Sequence, residues 1–513
     1  MRLTDHARER PDHLACIDAS RGAQLDYRQL ERRSRAAALL LRSGGLGRDE
    51  AVCFLMPNRL EFFELAWAAQ RTGLRWTPLN THLNGDDAAY IVGDTGATTI
   101  VADASLGELA ETVAAAVPAL VHRFSCNGSI PGYEPYEASR DRFLDEPLDD
   151  EAEGIDMLYS SGTTGRPKGV RFALPEGPIG TPGRIDVLTA EVYHGTSESR
   201  FLCPAPLYHA APMRFSMAFQ RLGATVVLFD RFDASQVLAA IDEYAITHTA
   251  LVPTMFSRLL KLPAAEREAA DTSSLQHVIH GAAPCPPDVK RAMIDWWGPV
   301  LDEYYAATEG IGYCSITSEE WLARPGSVGR PVRGRAHIVD EAGGELPPGS
   351  DGLIYFETFG RFEYHNDVDK TASVRNAEGW VTLGDIGRVD ADGYLYLTDR
   401  EADLVISGGV NIYPREAEDV LITHPAVDDV GVIGEPEPEL GERLIAVVAL
   451  RPGYRPSAEL ADQLLAHCRA RLSAYKCPRR IDFAERLPRL PTGKLVRRVL
   501  RDEYRLRDDH RTE

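Results

Sequence analysis

The sequence lacks the features of a secreted, disulfide-linked or membrane-spanning protein. Its eight cysteines are scattered singly and no Cys-x-x-Cys occurs, which argues against a zinc ribbon and a disulfide framework. No uninterrupted apolar run reaches the roughly 18–20 residues that span a bilayer, and the charged N-terminus, MRLTDHARERPDH, has no apolar signal-peptide core. These absences predict reduced thiols in a cytoplasmic protein without an integral membrane segment.

The sequence also has fewer positively charged residues than negatively charged ones. Lysine and arginine together number 56, against 77 for aspartate and glutamate, so the formal net charge is −21. A chain this acidic repels a phosphate backbone, and no nucleic-acid partner is expected. Any polyanionic ligand must therefore be met by a local basic site rather than by the overall field of the protein.

Repeats and low-complexity tracts are absent as well, and the remaining pattern is that of a globular protein. At 513 residues the chain is too long for one compact core, because domains centre on about 100–150 residues. Helical and strand patterns alternate over the first third, as in the helix predicted at 27–42 and the strand predicted at 98–102. This alternation predicts α/β layers with parallel strand pairing.

Two predicted strands in the middle of the chain, at 276–280 and 299–303, each lead into a loop of small residues. Ligands collect at such strand ends in open α/β sheets. After about Gly326 turn signals multiply between short β-rich runs, which predicts an antiparallel or barrel-like subdomain. We therefore expect an α/β fold, with a large N-terminal domain of layered α/β subdomains plus a β-rich subdomain over 1–399, and a small α+β C-terminal domain over 400–513.

The most informative segment is residues 159–170, which read YSSGTTGRPKGV. Its glycines allow close backbone approach, its hydroxyls donate hydrogen bonds and Lys168 supplies positive charge, which is the chemistry of a polyphosphate-binding loop. A Walker A loop is excluded, because Lys168 is followed by Gly169 and no G-x-x-x-x-G-K spacing exists. The segment therefore predicts a nucleotide-phosphate site of another type.

This segment resembles that of the adenylate-forming superfamily, and several other segments resemble the same superfamily independently. Their pattern is similar to that of AMP-dependent acyl-CoA synthetases, and the resemblance covers nearly the whole chain. Two segments depart from the pattern at one position each, because Ala306 stands where glycine is usual and Leu383 replaces threonine. The segments are 305–309 (YAATE), 383–385 (LGD), 399–403 (DREAD), 407–414 (SGGVNIYP) and 491–494 (PTGK).

The resemblance implies a two-step reaction that uses ATP, Mg²⁺ and coenzyme A. A carboxylate attacks the α-phosphate of ATP to give an acyl-adenylate and pyrophosphate, and a thiol then displaces AMP to give a thioester. Two anions must meet, so electrostatic stabilisation dominates. On this resemblance Lys494 neutralises the carboxylate and the bridging oxygen, Glu309 ligates Mg²⁺ through its carboxylate, and Asp385 accepts both ribose hydroxyls.

Further residues take nucleotide-binding roles on the same resemblance. Thr163, Thr164 and Lys168 hold the phosphates, with Thr163 counted among the catalytic residues, and Tyr305 stacks on the adenine. The other expected members of the nucleotide site are Ser161, Gly162, Gly281, Ala282, Ala283, Ala306, Thr308 and Arg400.

The acyl site is expected around residues 205–213, which read APLYHAAPM. This segment is similar to the one in which an aromatic residue or histidine closes over the acyl group, so His209 is expected to gate the site, with an ordinary structural histidine as the alternative. The segment contains no aspartate that could pair with an amino-acid ammonium group. The expected pocket contacts are apolar and suit fatty, aryl or polycyclic acids: Tyr208, Met213, Phe215 and Ala307.

Coenzyme A is expected to meet the C-terminal domain. Ser407, Gly408 and Gly409 offer backbone along which the pantetheine arm can slide, and Tyr475 lies where the family often has an aromatic side chain near the CoA adenine. A run of basic residues is expected to meet the CoA phosphates, with a solvated helix end as the alternative. These residues are Arg469, Arg471, Lys476, Arg479 and Arg480.

The resemblance also implies that the small domain is mobile and rotates between the two half-reactions. Family members commonly carry Asp or Lys two places after the junction arginine, where this chain has Ala402, followed by Asp403. A hinge needs backbone freedom rather than a particular charge. Rotation about Ala402 or Asp403 is therefore expected.

Together these observations predict an AMP-forming acid–thiol ligase that activates a lipophilic carboxylic acid and transfers it to coenzyme A, with a place in fatty acid metabolism. One alternative is an adenylation enzyme that loads an acyl or amino-acid group onto a carrier protein, which the short charged tail after Lys494 weakens. Another is a non-catalytic nucleotide-binding protein, against which the intact motif residues argue. The expected partner is a small-molecule carboxylic acid, and a homodimer is left open.

Overall fold

The structure is a computed structural model that describes residues 2–160, 166–357, 361–400, 403–407, 410–437, 441–489 and 495–509. All eight cysteines are buried and free, as the reduced-thiol prediction requires. Within the described ranges, no helix combines the length and the apolar composition needed to cross a membrane.

The first 160 residues build a parallel sheet covered by helices. Its six strands follow the order β7-β6-β5-β3-β4-β8 and every neighbouring pair is parallel. The elements are α1 (Leu3–Glu9), β1 (Leu14–Asp18), β2 (Ala23–Asp26), α2 (Tyr27–Ser43), β3 (Ala51–Leu55), α3 (Leu60–Arg71), β4 (Arg75–Pro78), α4 (Gly85–Thr95), β5 (Thr99–Asp103), α5 (Gly107–Ala116), β6 (His122–Cys126), β7 (Glu134–Pro135), α6 (Tyr136–Asp141), β8 (Ile155–Asp156) and β9 (Leu158–Ser160).

The middle of the chain builds the parallel half of a larger sheet, in the order β1-β12-β11-β13-β14-β15, with β2 antiparallel at its edge. The elements are β10 (Lys168–Phe172), α7 (Arg184–Glu191), β11 (Arg200–Cys203), α8 (Ala210–Leu222), β12 (Thr225–Leu228), α9 (Ala234–Glu243), β13 (His248–Leu251), α10 (Pro253–Leu260), α11 (Ala264–Ala269), β14 (His277–His280), α12 (Pro287–Trp297) and β15 (Leu301–Ala306).

The β-rich segment predicted after Gly326 is antiparallel and continues this same sheet. From β15 the order runs on as β16-β17-β22-β21-β19-β18, which completes thirteen strands in an open order rather than a closed barrel. A separate three-stranded sheet has the order β20-β10-β9. The elements are β16 (Tyr313–Ile316), α13 (Ser318–Ala323), β17 (Ser327–Arg333), β18 (Arg335–Val339), β19 (Gly352–Glu357), β20 (Phe362–Tyr364), α14 (Val368–Ser373), β21 (Val381–Val389) and β22 (Leu395–Arg400).

A small C-terminal α+β domain has its own sheet and its own core, which includes Val432, Ala446 and Leu464. The sheet order is β24-β23-β26-β25, and β27 adds to β26 in parallel. The predicted boundary between residues 399 and 400 falls inside β22 and stays a prediction. The elements are β23 (Val405–Ser407), β24 (Val410–Ile412), α15 (Pro414–Leu421), β25 (Val427–Glu437), β26 (Gly441–Leu450), α16 (Ala458–Arg469), β27 (Arg480–Ala484) and α17 (Arg497–Asp509).

Local sequence signals explain why the individual elements form where they were predicted. In α2 the side chain of Asp26 accepts a hydrogen bond from the backbone N–H of Gln29 at 2.7 Å, while the Gln29 side chain accepts one from the N–H of Asp26 at 3.2 Å. This reciprocal cap satisfies two otherwise unpaired donors and starts the helix. One boundary differs in a way that matters, because β15 extends to Ala306 and so carries Tyr305 and Ala306, which were expected in a loop.

A buried ion pair joins helix α12 to strand β15. Lys290 is fully buried, and its Nζ donates to Oε2 of Glu303 at 2.7 Å. The imidazole of His280 on β14 lies 4.0 Å from the same carboxylate oxygen, and its pKa is held well below the ordinary value by burial and by the charge of Lys290. The pair therefore fixes the strand that carries Tyr305.

We predict that Lys290→Met lowers the free energy of unfolding of the large domain by about 3–5 kcal/mol, because Glu303 is left as a buried unpaired charge. All six tryptophans lie before residue 400, so tryptophan fluorescence during urea unfolding reports on this domain alone. The double variant Lys290→Met/Glu303→Leu removes both charges and should recover most of the loss. A single variant as stable as the wild type would refute the assigned role of the pair.

Candidate active site

A cavity of about 2410 Å³ opens at one edge of the large sheet. The segments that follow β13, β14 and β15 line it, at positions such as Val252, Ala282 and Thr308, and the C-terminal domain contributes Asp403 and Val496. Ligands bind at the carboxyl ends of the strands in open α/β sheets. The predicted nucleotide and acyl segments therefore face one shared space.

Tyr305 and Asp385 meet at the nucleotide end of this cavity. The Tyr305 hydroxyl donates to Oδ2 of Asp385 at 2.6 Å, and Asp385 is buried. Gly384 beside it has φ +78°, a left-handed conformation that glycine adopts without steric cost. Across β21 and β22, Asp385 is the register partner of Arg400. The three residues to which ribose and adenine contacts were assigned thus lie together.

This hydrogen bond requires a strongly curved sheet. Strands β15 and β21 are separated in the sheet by β16, β17 and β22, and four strand spacings in a flat sheet amount to about 19 Å. That distance is beyond the combined reach of a tyrosine and an aspartate side chain. Register irregularities between β16 and β17, β17 and β22, and β21 and β22 occur in the intervening part of the sheet, and such irregularities increase twist and bend strands.

The loop after β14 presents backbone rather than side chains to the cavity. A Cβ on Gly281 would lie 2.7 Å from the carbonyl oxygen of Tyr304, so no larger residue fits there. Ala282 has φ +67°, an uncommon conformation for a residue with a side chain. Backbone of this kind concentrates at functional sites, and Ala282 and Ala283 line the cavity. The assignment of Gly281, Ala282 and Ala283 to the adenine slot stays a prediction.

Glu309 and Lys168 both contact a tyrosine that the sequence did not identify, Tyr364. Glu309 is buried, and its Oε1 accepts a hydrogen bond from the hydroxyl of Tyr364 at 3.0 Å. The Nζ of Lys168 lies 5.7 Å from the centre of the same ring. Burial, reinforced by the charge of Lys370, lowers the pKa of Lys168. Tyr364 on β20 thereby links the expected metal ligand to the expected phosphate ligand.

The predicted phosphate loop connects two paired strands. Lys168 at the start of β10 is the register partner of Ser160 at the end of β9. A Cβ on Gly169 would lie 2.9 Å from Cζ of Tyr159, so glycine is needed for the close approach. Ser161, Gly162, Thr163 and Thr164, to which phosphate contacts were assigned, lie outside the described residues.

His209 lies at the start of α8 on the acyl side of the cavity. Its Nε2 is buried and has no hydrogen-bond partner among the described residues, and its ring centre is 4.6 Å from that of Tyr208. Burial lowers the pKa of His209 to about 4. The imidazole is therefore neutral at physiological pH, and it lines the cavity. The gating role of His209 stays a prediction.

Asn58 holds the acyl segment in place and was missed by sequence reasoning. Its Nδ2 donates to the carbonyls of Ala205 and Phe229 at 2.9 and 2.8 Å, and its Oδ1 accepts from the N–H of Leu207 at 2.8 Å. One buried amide thus ties the end of β3 to the loops after β11 and β12. In the sequence, Asn58 stands only as an asparagine after a strand and a proline. That local pattern does not reveal hydrogen-bond partners about 150 residues away.

The C-terminal residues predicted to act are only partly described. Ser407 ends β23, while Gly408, Gly409, Ala402 and Lys494 lie outside the described residues, as does the side chain of Arg400. Val496 lines the cavity just after Lys494. Arg497 donates to Oδ2 of Asp403 at 2.8 Å and to Oε2 of Glu418 at 2.7 Å, so the end of the lysine segment is bonded to the hinge segment.

The basic run expected at the CoA phosphates is partly occupied by partners of its own. Lys476 donates to both carboxylate oxygens of Glu416, at 2.8 and 2.6 Å, and Arg480 pairs with Glu435 and Asp482. Tyr475 is 48% exposed, so its ring is available for stacking. Lys476 and Arg480 would have to exchange their carboxylates for a phosphate.

The part of the chain that is described contains no group of three His, Cys, Asp or Glu side chains arranged to hold a metal ion. Glu309 stands as a single buried carboxylate. That arrangement fits Mg²⁺, which keeps several waters and is bound by one or two carboxylates together with substrate phosphates.

Comparison with known proteins matches nearly the whole chain. The profile of the AMP-binding enzyme family matches residues 3–362, and that of the AMP-binding enzyme C-terminal domain matches residues 416–494. Two relatives are the long-chain-fatty-acid–CoA ligase FadD13 of Mycobacterium tuberculosis, 31% identical over 98% of this chain and 97% of that protein, and the fatty acid–acyl-carrier-protein ligase ScoC of Streptomyces coeruleorubidus, 30% identical over 97% and 95%.

A solved structure extends this likeness to the fold. The anthranilate CoA ligase AuaEII in complex with anthranoyl-AMP superposes with a TM-score of 0.86 at 26% sequence identity, over 99% of this chain and 98% of that one. Relatives thus include enzymes named for fatty and for aryl acids, and for coenzyme A and for a carrier protein as acceptor.

We predict that Asn58→Ala impairs the acyl site more than the nucleotide site. Three buried groups lose their partner, and each unsatisfied group costs about 1–3 kcal/mol. The KM for the acid should rise at least fivefold more than the KM for ATP, because the lost bonds hold residues 205–207. Asp26→Ala, which removes the α2 cap at a cost of about 1 kcal/mol, is the control that lowers stability without touching this segment. Equal rises in both KM values would show that Asn58 has no specific positioning role.

We also predict that His209→Gln reduces the loss of folding stability at acidic pH. Since burial holds the pKa of His209 at about 4 in the folded protein, only the unfolded chain gains a proton there as the pH falls from about 6.5. The free energy of unfolding therefore drops through this window, by about 2 kcal/mol at pH 5. Urea unfolding at pH 7.5 and 5.0 should show a smaller loss for His209→Gln than for the wild type. The exposed-site variant His82→Gln should retain the wild-type loss, and an unchanged loss in His209→Gln would contradict the assignment.

Proposed function

The chain belongs to the AMP-binding enzyme family, and from this premise we propose that it is an AMP-forming acyl-CoA ligase for a lipophilic carboxylic acid. Members of this family use ATP and coenzyme A. The observation that carries the proposal is the convergence of Tyr305, Asp385, Glu309 and Lys168 on one cavity that the segment after Lys494 also lines.

In the proposed mechanism the nucleotide is held at its two ends. Asp385, already oriented by the hydroxyl of Tyr305, accepts the ribose hydroxyls, with Arg400 adjacent in register. The adenine stacks on the Tyr305 ring and faces the backbone of residues 281–283. Holding the base and the ribose rigidly positions the α-phosphate for attack, which is where enzymes gain most from orientation.

The phosphates and the magnesium ion form the second half of the nucleotide site. Mg²⁺, when bound, neutralises phosphate charge. Glu309 would hold it, and the hydrogen bond from Tyr364 to Oε1 fixes the carboxylate. Thr163, Thr164, Thr308 and Lys168 would hold phosphate oxygens.

The acid meets the α-phosphate under the control of Lys494. Its ammonium group neutralises the repulsion between the attacking carboxylate and the phosphate, and it stabilises the charge that develops on the bridging oxygen. The neutral His209, buried beside Tyr208, closes the acyl side without adding a charge of its own.

Transfer of the acyl group to the CoA thiol follows once the small domain presents its other face. The CoA thiol attacks the acyl carbonyl, AMP leaves with the electron pair of the broken bond, and a thioester remains. Ser407, Gly408 and Gly409 form the path of the pantetheine arm, and the exposed Tyr475 receives the CoA adenine. Rotation takes place about Ala402 or Asp403, between domains that we place at 1–399 and 400–513.

Coenzyme A is the acceptor that we favour, although the relation to ScoC keeps a carrier protein as the second candidate. The cytoplasm is the proposed location, supported by eight buried free cysteines that suit a reducing compartment. A homodimer stays a prediction.

The function is tested by the products and by the acceptor. We expect stoichiometric AMP and pyrophosphate, with thioester formed on free coenzyme A in preference to a phosphopantetheinylated carrier protein, in an assay with fatty and aryl acids. ADP as the product would overturn the adenylation mechanism. Thioester on the carrier alone would move the enzyme to the second candidate.

We predict a division of labour within the small domain. Lys494→Ala should slow ATP–pyrophosphate exchange by about 10²–10³-fold, since it removes a charge directed at the transition state, and should leave the reaction of preformed acyl-adenylate with coenzyme A nearly intact. Gly409→Leu should do the reverse by filling the pantetheine path, and so serves as the matched control. If both substitutions damage the same half-reaction, the two-face arrangement is wrong.

A further inference from the structure

Arg184, Arg214 and Arg333 all line the cavity, and they differ in their carboxylate partners. Arg214 on α8 pairs with Asp156, with Nη2–Oδ2 at 2.7 Å and Nε–Oδ1 at 3.3 Å. Within the described ranges, no carboxylate lies within 4.0 Å of a side-chain nitrogen of Arg184, which is exposed, or of Arg333, which is half-buried. These two guanidinium groups thus have no close counter-ion among the described residues.

Arg184, the first residue of α7, is held against the cavity wall by neutral groups. Its Nη1 donates to the carbonyl of Gly310 at 3.0 Å, and its guanidinium carbon lies 5.0 Å from the centre of the Phe172 ring. These contacts fix one side of the guanidinium and leave its other N–H donors for a ligand, since the group carries five. A planar guanidinium with free donors suits bidentate binding of a carboxylate.

Arg333 lies on the same sheet face as Ala306, one of the residues assigned to the nucleotide site. Ala306 of β15 is the register partner of Tyr313 of β16, which in turn is the register partner of Arg333 of β17. Directly opposed residues of antiparallel strands share a face, and two strand spacings amount to about 10 Å. That distance is about the length of a small acyl group.

The neighbouring carboxylates do not neutralise these arginines. Asp186, two residues after Arg184, pairs with Arg221 at 3.2 Å, and so does Glu153 at 2.9 Å. Burial, reinforced by the charges of Arg214 and Arg333, lowers the pKa of Arg184. Among the described charges that act on Arg184, those of Arg214 and Arg333 are thus offset by one carboxylate, that of Asp156, which itself pairs with Arg214.

One wall of the cavity is aromatic. The rings of Tyr304 and Tyr313 stack at 5.3 Å between centres, and Phe215 packs on Tyr304 edge to face at 6.2 Å. A ligand packed on this wall contacts apolar rings, while Arg184 and Arg333 line the same cavity.

We propose that the acid substrate is a dicarboxylic acid with an apolar or aryl middle, whose second carboxylate is bound by Arg184 and Arg333. This inference rests on the proposed ligase function and narrows its substrate class. The reacting carboxylate lies at the nucleotide end, the middle packs on Tyr304 and Tyr313, and the second carboxylate supplies the counter-ion that the two arginines lack.

The experiment compares acids that differ only in the second carboxylate. Octanoic acid is paired with octanedioic acid, and 3-phenylpropanoic acid with 4-(2-carboxyethyl)benzoic acid, in ATP–pyrophosphate exchange. We expect kcat/KM for the diacid to exceed that of the monoacid by about tenfold or more, as for a charged hydrogen bond, beyond the factor of about two that two reactive ends give octanedioic acid.

Substitutions of the two arginines test whether they cause the preference for diacids over monoacids. Arg184→Met and Arg333→Met, singly and together, should reduce kcat/KM for the diacids at least tenfold while the values for the monoacids stay the same or rise. Arg335→Met is the matched control, because Arg335 is exposed, lies two residues from Arg333 and does not line the cavity. It should keep the wild-type preference. Loss of activity toward both acids alike in the arginine variants would overturn the proposal, as would a wild type that prefers the monoacid in both pairs.

A binding measurement separates this inference from the ligase function. Non-hydrolysable acyl-sulfamoyl-adenosines that end in a carboxylate or in a methyl group are compared by calorimetry with the wild type and with Arg184→Met/Arg333→Met. Tighter binding of the carboxylate form to the wild type only, without any exchange activity, would refute the ligase and keep the anion site. Exchange activity together with equal binding of the two analogues would support the ligase function and refute the anion site.

Discussion

The hydrogen bond between Tyr305 and Asp385 is the constraint on which the nucleotide site depends. It joins the last parallel strand of the large sheet to an antiparallel strand four places away. A flat sheet cannot make this contact, because the strands would lie about 19 Å apart. The antiparallel half must therefore curve toward the carboxyl ends of the parallel strands, where the cavity lies.

The charged groups that line the cavity are brought together by the same curvature of the sheet. The protein is acidic overall, yet the groups that face the cavity are arranged so that each sign of charge has a defined place. Tyr364 contacts both the Glu309 carboxylate and the Lys168 ammonium, and His209 is kept neutral by burial. Removing water from such a site strengthens every one of these interactions, which is how a chain with a repulsive overall field holds a polyphosphate.

A network within the small domain ties its first described residues to its last helix. Arg497 at the start of α17 donates to Asp403 and to Glu418. Asp403, one of the two residues proposed as the hinge, is thereby bonded to α17. The proposed rotation needs backbone freedom rather than a particular charge.

The sequence by itself determined the family, the local elements and the residues of the nucleotide motifs. Periodic segments such as α2, and buried runs such as β5 and β14, form where predicted because caps and hydrophobic spacing are encoded within a few residues. Motif residues are recognised in the same way, since Lys168, Glu309 and Asp385 each lie in a short characteristic string.

Tertiary structure alone decided which residues support that site. Asn58 bonds to Ala205 and Phe229, and Tyr364 to Glu309, across separations that no local pattern records. The end of β15 likewise depends on its pairing with β16 rather than on its own residues. Arg184 and Arg333, 149 positions apart in the sequence, read as ordinary charged residues until the fold places both on one cavity. Contacts between segments this distant are set by packing and strand register, and only the folded chain brings them together.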